Sequence, residues 1–216
     1  MFDRANPRAE AVDLLDDVLY RLRSNGCSIV MISGNHDSAE RLNFGSRFMA
    51  GGGLHIATER QRLNDMGQVI NIADSSGDTL SFLPLPYLDP NRVLLEPESD
   101  RNHAEVLRQL LELSTTHLVD PAKTVVLSHA FVSGSSVSES ERSLEVGGTG
   151  AVPSDLFRGF GYVALGHLHK PQPVGDENVF YSGSPLAYSF SEEHQKSVRI
   201  IDSSNGFASH AVKVDV

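Results

Sequence analysis

The sequence predicts a mixed α/β sandwich, and three features of the chain lead to this fold class. Stretches with apolar residues at helical spacing alternate with short apolar runs of strand length. Potential metal ligands follow three of those runs, which indicates that loops gather at one edge of a sheet. The 216 residues contain neither an internal repeat nor an interdomain linker, so a single domain over residues 1–216 is expected.

The first helix is expected to open at Asn6-Pro7, with Asn6 as the N-cap and Pro7 at the first helical position. An apolar stripe then repeats at helical spacing: Ala11, Leu14, Leu15, Val18, Leu19 and Leu22. Such a stripe is typical of a helix whose apolar face packs on a core. A short helical stretch is also expected around residues 38–44.

Strands are expected at eight short stretches: residues 28–32, 68–72, 79–83, 124–128, 162–165, 179–181, 197–201 and 208–214. Residues 75–78 have the composition of a hairpin turn. Apolar residues between 100 and 118 recur at helical spacing and predict a second amphipathic helix. Residues 130–153, rich in Ser, Gly and Glu, are too polar for a core and predict a functional surface loop.

The charge of the chain counts against a stand-alone DNA-binding module. The net charge is -10, whereas phosphate binding usually requires a basic surface. The acidic excess is uneven, since residues 1–60 carry seven Arg against eight acidic residues, and the rest carries 11 basic against 20 acidic residues. A metallonuclease remains compatible with this charge, because bound cations also attract phosphate.

No apolar run approaches the roughly 20 residues that a membrane-spanning helix needs. The first residues, Met1-Phe2-Asp3-Arg4, also lack the basic start and apolar stretch of an export signal. We therefore expect a cytoplasmic protein without a membrane partner.

Potential metal ligands follow three predicted strands. Asn35 and His36 come after the first, His129 after the second, and His167 and His169 after the third. Imidazole nitrogens and amide oxygens suit manganese, iron or zinc, and with a shared carboxylate they could hold two metal ions on a phosphate ester. A single histidine after a strand is more often a hydrogen-bonded loop residue, so the prediction depends on all of them converging.

These residues resemble the later motifs of the calcineurin-like metallophosphoesterase superfamily, here Gly34-Asn35-His36-Asp37, His129 and Gly166-His167-Leu168-His169. Within the superfamily, longer strings resemble the SbcD family of DNA nucleases. These strings are residues 35–42, 138–142, 146–148, 162–172, 181–185 and 187–192, together with Lys196. The resemblance implies a sandwich of two mixed β-sheets flanked by helices.

The resemblance also implies roles for single residues. Asn35, His129 and His167 would bind one metal ion and His169 the other, with two manganese ions expected. His36 would be the catalytic histidine beside the scissile phosphate. Asp37 would orient an imidazole, and a helix N-cap before Ser38 is the alternative for Asp37.

By the same resemblance the protein would be a metal-dependent DNA nuclease that acts in recombination and repair. It would combine 3′–5′ exonuclease activity on double strands with endonuclease activity on single strands, and would process DNA ends and hairpins. Its partners would be DNA, an SbcC-type ATPase and a second nuclease subunit. The first-helix face of Leu15, Val18, Leu19 and Leu22 could contribute to the contact with that subunit, although such a face more often packs in the core. The alternatives are a calcineurin-like phosphatase or phosphodiesterase, and a non-catalytic fragment.

The start of the family pattern is expected to lie outside the chain. SbcD-like enzymes open with Asp-x-His and Gly-Asp-x-x-Asp-Arg, and Met1-Phe2-Asp3-Arg4 fits the last four positions of the second motif. On this alignment the first strands, three metal ligands and the C-terminal capping domain are absent. The chain by itself is therefore expected to be impaired or inactive.

Overall fold

The structure is a computed structural model that describes residues 1–74, 76–95, 99–137 and 150–214. Within these residues the chain forms four helices: α1 (Ala9–Ser24), α2 (Ala39–Asn43), α3 (Ser46–Gly51) and α4 (His103–Thr115). The strands of the first half are β1 (Ile29–Ile32), β2 (Leu54–Ala57), β3 (Ile70–Ala73), β4 (Thr79–Leu85), β5 (Thr124–His129) and β6 (Phe131–Val132). Those of the second half are β7 (Ala151–Val152), β8 (Tyr162–Gly166), β9 (Gln172–Val174), β10 (Asp176–Tyr181), β11 (Ser197–Asp202) and β12 (Ala208–Lys213).

The centre of the fold is a six-stranded mixed sheet in the order β3-β4-β5-β8-β10-β9. Its four inner strands are parallel, and the two edge strands run antiparallel to their neighbours. Parallel strands end at the same edge of a sheet, so the residues that follow β4, β5, β8 and β10 collect there. The register pairs His129 with Gly166, which places these two strand ends side by side.

Helix α4 covers one face of this sheet and supplies much of the core. Its cap is Asn102, whose side chain accepts a hydrogen bond from the Glu105 amide at 2.9 Å. Its buried apolar residues, Val106, Leu107, Leu110 and Leu111, join the same cluster as the strand residues. The amphipathic helix predicted between residues 100 and 118 is thus confirmed, with narrower bounds.

The fold class predicted from the sequence is confirmed. A six-stranded mixed sheet flanked by helices agrees with a calcineurin-like sandwich. Besides the six-stranded sheet, the described residues form three separate two-stranded pairs: β1-β2, β6-β7 and β11-β12. None of the described helices is long and apolar enough to cross a membrane.

Helix α1 begins at a different residue from the one predicted, and its apolar residues are less buried than predicted. Its N-cap is Arg8 rather than Asn6, because the Asn6 side chain instead accepts a hydrogen bond from Arg41 at 2.6 Å. All of α1 is described, and no side chain in it is buried, so the core assignment of its stripe is wrong. Leu15 and Leu19 line an apolar groove, whereas the rest of the stripe is largely exposed.

Several other predicted elements are confirmed, and some short elements were not predicted. The hairpin of β3 and β4 and the strands β5, β8, β10, β11 and β12 are confirmed. Helix α3 and strands β2, β6, β7 and β9 were not predicted, because they are short and their flanking glycines and prolines obscure the pattern. The prediction that residues 130–153 are too polar for the core is wrong at both ends, where Val132 and Val152 are buried. The strings 138–142 and 146–148 lie outside the described residues.

Candidate metal centre

Three of the predicted ligands meet at the strand edge. Nε2 of His129 lies 2.9 Å from Oδ1 of Asn35 and 3.3 Å from Nδ1 of His167. Asn35 lies in the loop after β1, His129 is the last residue of β5, and His167 directly follows β8, so the three are far apart in sequence. Two imidazole nitrogens and an amide oxygen that face one another at such distances can ligate one cation.

Glycines on both sides make room for the His129 ring. A methyl group placed on Gly34 would come within 2.7 Å of the ring, and one on Gly166 would come within 3.0 Å. Each glycine precedes a predicted ligand, Asn35 or His167. The glycines of both motifs are therefore explained by the close approach of His129, for which a larger residue leaves no space.

His129 is held neutral. Burial lowers the pKa of its imidazole well below the ordinary value, and His167, the amino group of Met1 and His36 lower it further. A neutral imidazole keeps the lone pair that a metal ligand needs. The contribution of His36 also shows that this exposed histidine lies within electrostatic range of the cluster.

The backbone at His167 is strained. Its φ is 111°, in a region that residues with a side chain rarely adopt. Strain of this kind costs about 1–3 kcal/mol and is concentrated at functional sites. At His167 it turns Nδ1 towards His129 directly after β8.

Asp37 fixes the loop that carries Asn35 and His36. Its carboxylate accepts hydrogen bonds from the backbone nitrogens of Gly34 at 2.7 Å and Phe2 at 2.8 Å, and it pairs with the amino group of Met1 at 2.9 Å. None of these partners is an imidazole. The N-cap alternative is wrong, since Ser38 caps α2 through the Arg41 amide.

His169 has different surroundings from the other three predicted ligands. Its Nδ1 lies 2.9 Å from Oε1 of Glu192, and its ring stacks on Tyr188 with centroids 4.6 Å apart. His169 lies two residues after His167, beyond the end of β8. Its assignment as a ligand stays a prediction.

The stretch of residues 181–185 contacts the backbone near His129 and the backbone of His169. Tyr181 accepts a hydrogen bond from the Val132 amide and donates one to the Ala130 carbonyl, which fixes the backbone after His129. Gly183 has φ 78°, and a methyl group there would come within 2.7 Å of the His169 carbonyl. The resemblance in this string therefore has a structural reason.

One aromatic residue beside the centre, Tyr87, was not predicted. Tyr87 contacts the His129 ring edge-on, and its hydroxyl lies 3.2 Å from Nε2 of His103. The Tyr87 amide also donates to the Ser33 carbonyl at 2.9 Å, which ties the Asn35 loop to the central sheet. No sequence signal pointed to Tyr87, because the parallel pairing of β4 with β5 is visible only in the structure.

Asn35, His129 and His167 supply three donor atoms, which are only part of the ligands that a bound cation needs. Among the described residues, no group of three or more His, Cys, Asp or Glu side chains is placed to hold a metal ion. The cluster reaches three donors only because Asn35 supplies an amide oxygen. A site for two metal ions would need further carboxylate ligands.

The mixed sheet flanked by helices is consistent with a calcineurin-like metallophosphoesterase sandwich. Two curated relatives, each named as the SbcD subunit of the nuclease SbcCD, match the chain. That of Staphylococcus epidermidis is 32% identical over 209 residues, which are 95% of this chain and 54% of the relative. The protein of Staphylococcus saprophyticus subsp. saprophyticus has the same identity and coverage. No protein-family model matches. The predicted resemblance to SbcD is confirmed, and the chain spans about half the length of the curated relatives it matches.

Proposed function

We propose that the chain is part of an SbcD-type nuclease that hydrolyses phosphodiester bonds of DNA with two divalent metal ions, manganese being the expected one. The observation that carries the proposal is the convergence of Asn35 and His167 on Nε2 of His129, at 2.9 and 3.3 Å. The similarity to nuclease subunits over 95% of the chain supports the same function.

The residues would divide the work as follows. Asn35, His129 and His167 would hold one metal ion, and His169 would contribute to the other. When bound, the metal ions would stabilise negative charge on the phosphate and activate water. His36, exposed beside the cluster, would contact the scissile phosphate and donate a proton to the leaving oxygen.

The finer properties are part of the proposal. The activity would comprise 3′–5′ exonuclease action on double strands and endonuclease action on single strands, at DNA ends and hairpins. The name of the relatives, which places them in an SbcCD nuclease, supports an ATPase partner of the SbcC type. The exposed part of the α1 stripe, Leu14, Val18 and Leu22, supports contact with a second nuclease subunit.

The 216-residue chain by itself would hold metal weakly and cleave little DNA. Among the described residues, no three or more His, Cys, Asp or Glu side chains are grouped so that they could hold a metal ion. The amino group of Met1 lies 2.9 Å from Asp37 and within electrostatic range of His129, so a carboxylate placed directly before Met1 would lie beside the cluster. A non-catalytic role for the chain alone is the second candidate that this observation favours.

The test compares three proteins: residues 1–216, the same chain preceded by Gly-Asp, and a control preceded by Gly-Asn. Mn²⁺ binding is measured by isothermal titration. We expect at most one weakly bound ion in the first and third proteins, and an affinity at least about tenfold higher with Gly-Asp, because a carboxylate is added next to His129. Equal affinities in all three would contradict the proposed site.

DNA cleavage is measured with a further protein. In it, the chain follows the segment that precedes the matched region in the Staphylococcus epidermidis relative. We call it the extended protein. It should degrade linear duplex DNA faster with Mn²⁺ than with Mg²⁺, because imidazole ligands favour the softer cation. It should leave small phosphomonoesters intact. Equal turnover of a monoester and DNA would favour a phosphatase instead.

A further inference from the structure

A buried ion pair lies behind His169. Nζ of Lys196 is 2.6 Å from Oε2 of Glu192, and the two residues are only 3% and 8% exposed. Removing two charges from water costs more than a single ion pair usually returns, so burial of such a pair needs a reason beyond stability. The contacts of the pair with the surroundings of His169 supply that reason.

Lys196 has two further contacts. Its ammonium donates to Oγ of Ser184 at 2.9 Å and lies 3.0 Å from Nε2 of His194. The Ser184 amide in turn donates to the His169 carbonyl at 3.0 Å. The ammonium is therefore fixed relative to the backbone of His169, and it fixes the carboxylate of Glu192.

The second oxygen of that carboxylate contacts the His169 ring. Oε1 of Glu192 lies 2.9 Å from Nδ1 of His169. The stacked ring of Tyr188, inclined by 24°, restricts rotation of the imidazole from one side. The ring of His169 is thus held at one nitrogen and on one face.

The identity of the proton donor follows from the ion pair. An ammonium at 2.6 Å is matched by an ionised carboxylate, and an ionised carboxylate only accepts hydrogen bonds. Nδ1 of His169 must therefore carry the proton, which leaves the lone pair of the neutral ring on Nε2. In metal sites, a carboxylate behind a histidine orients the ring and raises its basicity in this way.

We propose that Glu192, held by Lys196, is a positioning residue that sets the tautomer and orientation of His169 so that Nε2 is the ligating atom. The tautomer part stands on the geometry alone, whereas ligation through Nε2 rests on the proposed function. The pair explains why residues 187–192 and Lys196 resemble SbcD together, although they lie outside the metal motifs.

Single substitutions would leave one buried charge without its partner and could unfold the protein. Two double variants avoid this: Glu192→Gln with Lys196→Met, and Glu192→Met with Lys196→Met. Both remove the ion pair, and Gln and Met have similar size. They differ in whether an acceptor for Nδ1 of His169 remains, so a purely structural role would affect them alike.

The first measurement is the ¹⁵N spectrum of the histidine rings in metal-free protein, with His169 assigned by His169→Asn. We expect the Nδ1–H tautomer in the wild type and in the Gln variant, and a mixture or the Nε2–H tautomer in the Met variant. An unchanged Nδ1–H tautomer in a folded Met variant would overturn the proposal. Unfolding of both double variants would also overturn it, because the pair would then be a structural requirement.

The second measurement is Mn²⁺ affinity in the extended protein, because the ion bound by the chain preceded by Gly-Asp is expected at the His129 cluster and not at His169. We expect the Met variant to bind the ion at His169 about 10–100-fold more weakly than the Gln variant does. The matched control is Glu59→Gln, another buried carboxylate, which pairs with Arg92 at 3.2 Å. It should bind as the wild type does. If the wild type binds no metal while the tautomer of His169 depends on Glu192, the proposed function fails and the positioning role stands. Equal Mn²⁺ affinity in the two double variants would overturn ligation through Nε2.

Discussion

The α-carbon of Gly34 packs against the imidazole of His129 so closely that an added methyl group would lie 2.7 Å from Cε1 of the ring. The contact joins the loop after β1 to the end of β5. The ring cannot move away freely, because Gly166 faces it as well, with 3.0 Å to a methyl group there. The position of His129 is therefore set by the absence of side chains on both sides.

Gly34→Ala should displace the His129 ring and weaken Mn²⁺ binding by about tenfold or more, since a ligand moves out of line with its partners. Isothermal titration on the chain preceded by Gly-Asp measures the effect. Gly51→Ala is the control, because a methyl group there meets no atom within 4 Å. Wild-type affinity in Gly34→Ala would show that His129 is not a ligand.

His36→Ala in the extended protein should reduce cleavage of linear duplex DNA by at least about 100-fold, because the proton donor is lost. Metal content, measured by elemental analysis, should stay near that of the wild type. His210→Ala removes an exposed histidine from β12 and should change neither quantity. Loss of metal along with activity would mean that His36 is a ligand.

His167→Gly and His167→Ala remove the same imidazole but treat the backbone differently. The φ of 111° is strained for alanine and accessible to glycine. The glycine variant should therefore be more stable than the alanine variant, by about 1 kcal/mol in the free energy of unfolding. Urea denaturation measures the difference. Equal stability of the two variants would indicate that the backbone at 167 relaxes once the imidazole is gone.

Burial of neutral His129 should make stability fall in acid. Its folded pKa lies well below the ordinary value of about 6.5, so below that pH the unfolded chain takes up a proton that the folded chain does not. The contribution is present above pH 6.5 and is lost as the pH falls, by up to about 1.4 kcal/mol per pH unit. Urea denaturation in chelator between pH 7.5 and 5 should give a shallower pH dependence for His129→Gln. Parallel curves would mean that His129 is protonated in the folded chain.

Much of the central sheet could be predicted because its elements have strong local signals. Helix α4 has both a cap, Asn102, and a continuous apolar face, and β5 is a run of residues that favour strands. Helix α1 has an equally regular stripe, yet its residues are not buried. Periodicity reveals that a helix has an apolar face, but it does not reveal what covers that face.

The candidate centre was predictable where strand ends carry a recognisable ligand, as at Asn35, His129 and His167. Tyr87 was missed because strand order, which places β4 next to β5, is not visible in the sequence. The role proposed for Glu192 could not be derived either. A carboxylate that lies 23 residues from His169 contacts it only after the turn at 183–184 brings the chain back.

The parallel pairing of Phe131–Val132 with Ala151–Val152 has a consequence for evolution and engineering. The pairing holds two points of the chain next to each other immediately after β5. The Ser133 amide adds a hydrogen bond to the Val152 carbonyl at 2.8 Å. The intervening sequence can then change in composition or length while its attachment points stay fixed. Each doubling of that length would cost only about 0.6 kcal/mol in closure entropy. A segment of different composition or length could thus be exchanged between Val132 and Ala151 with the histidines left in place.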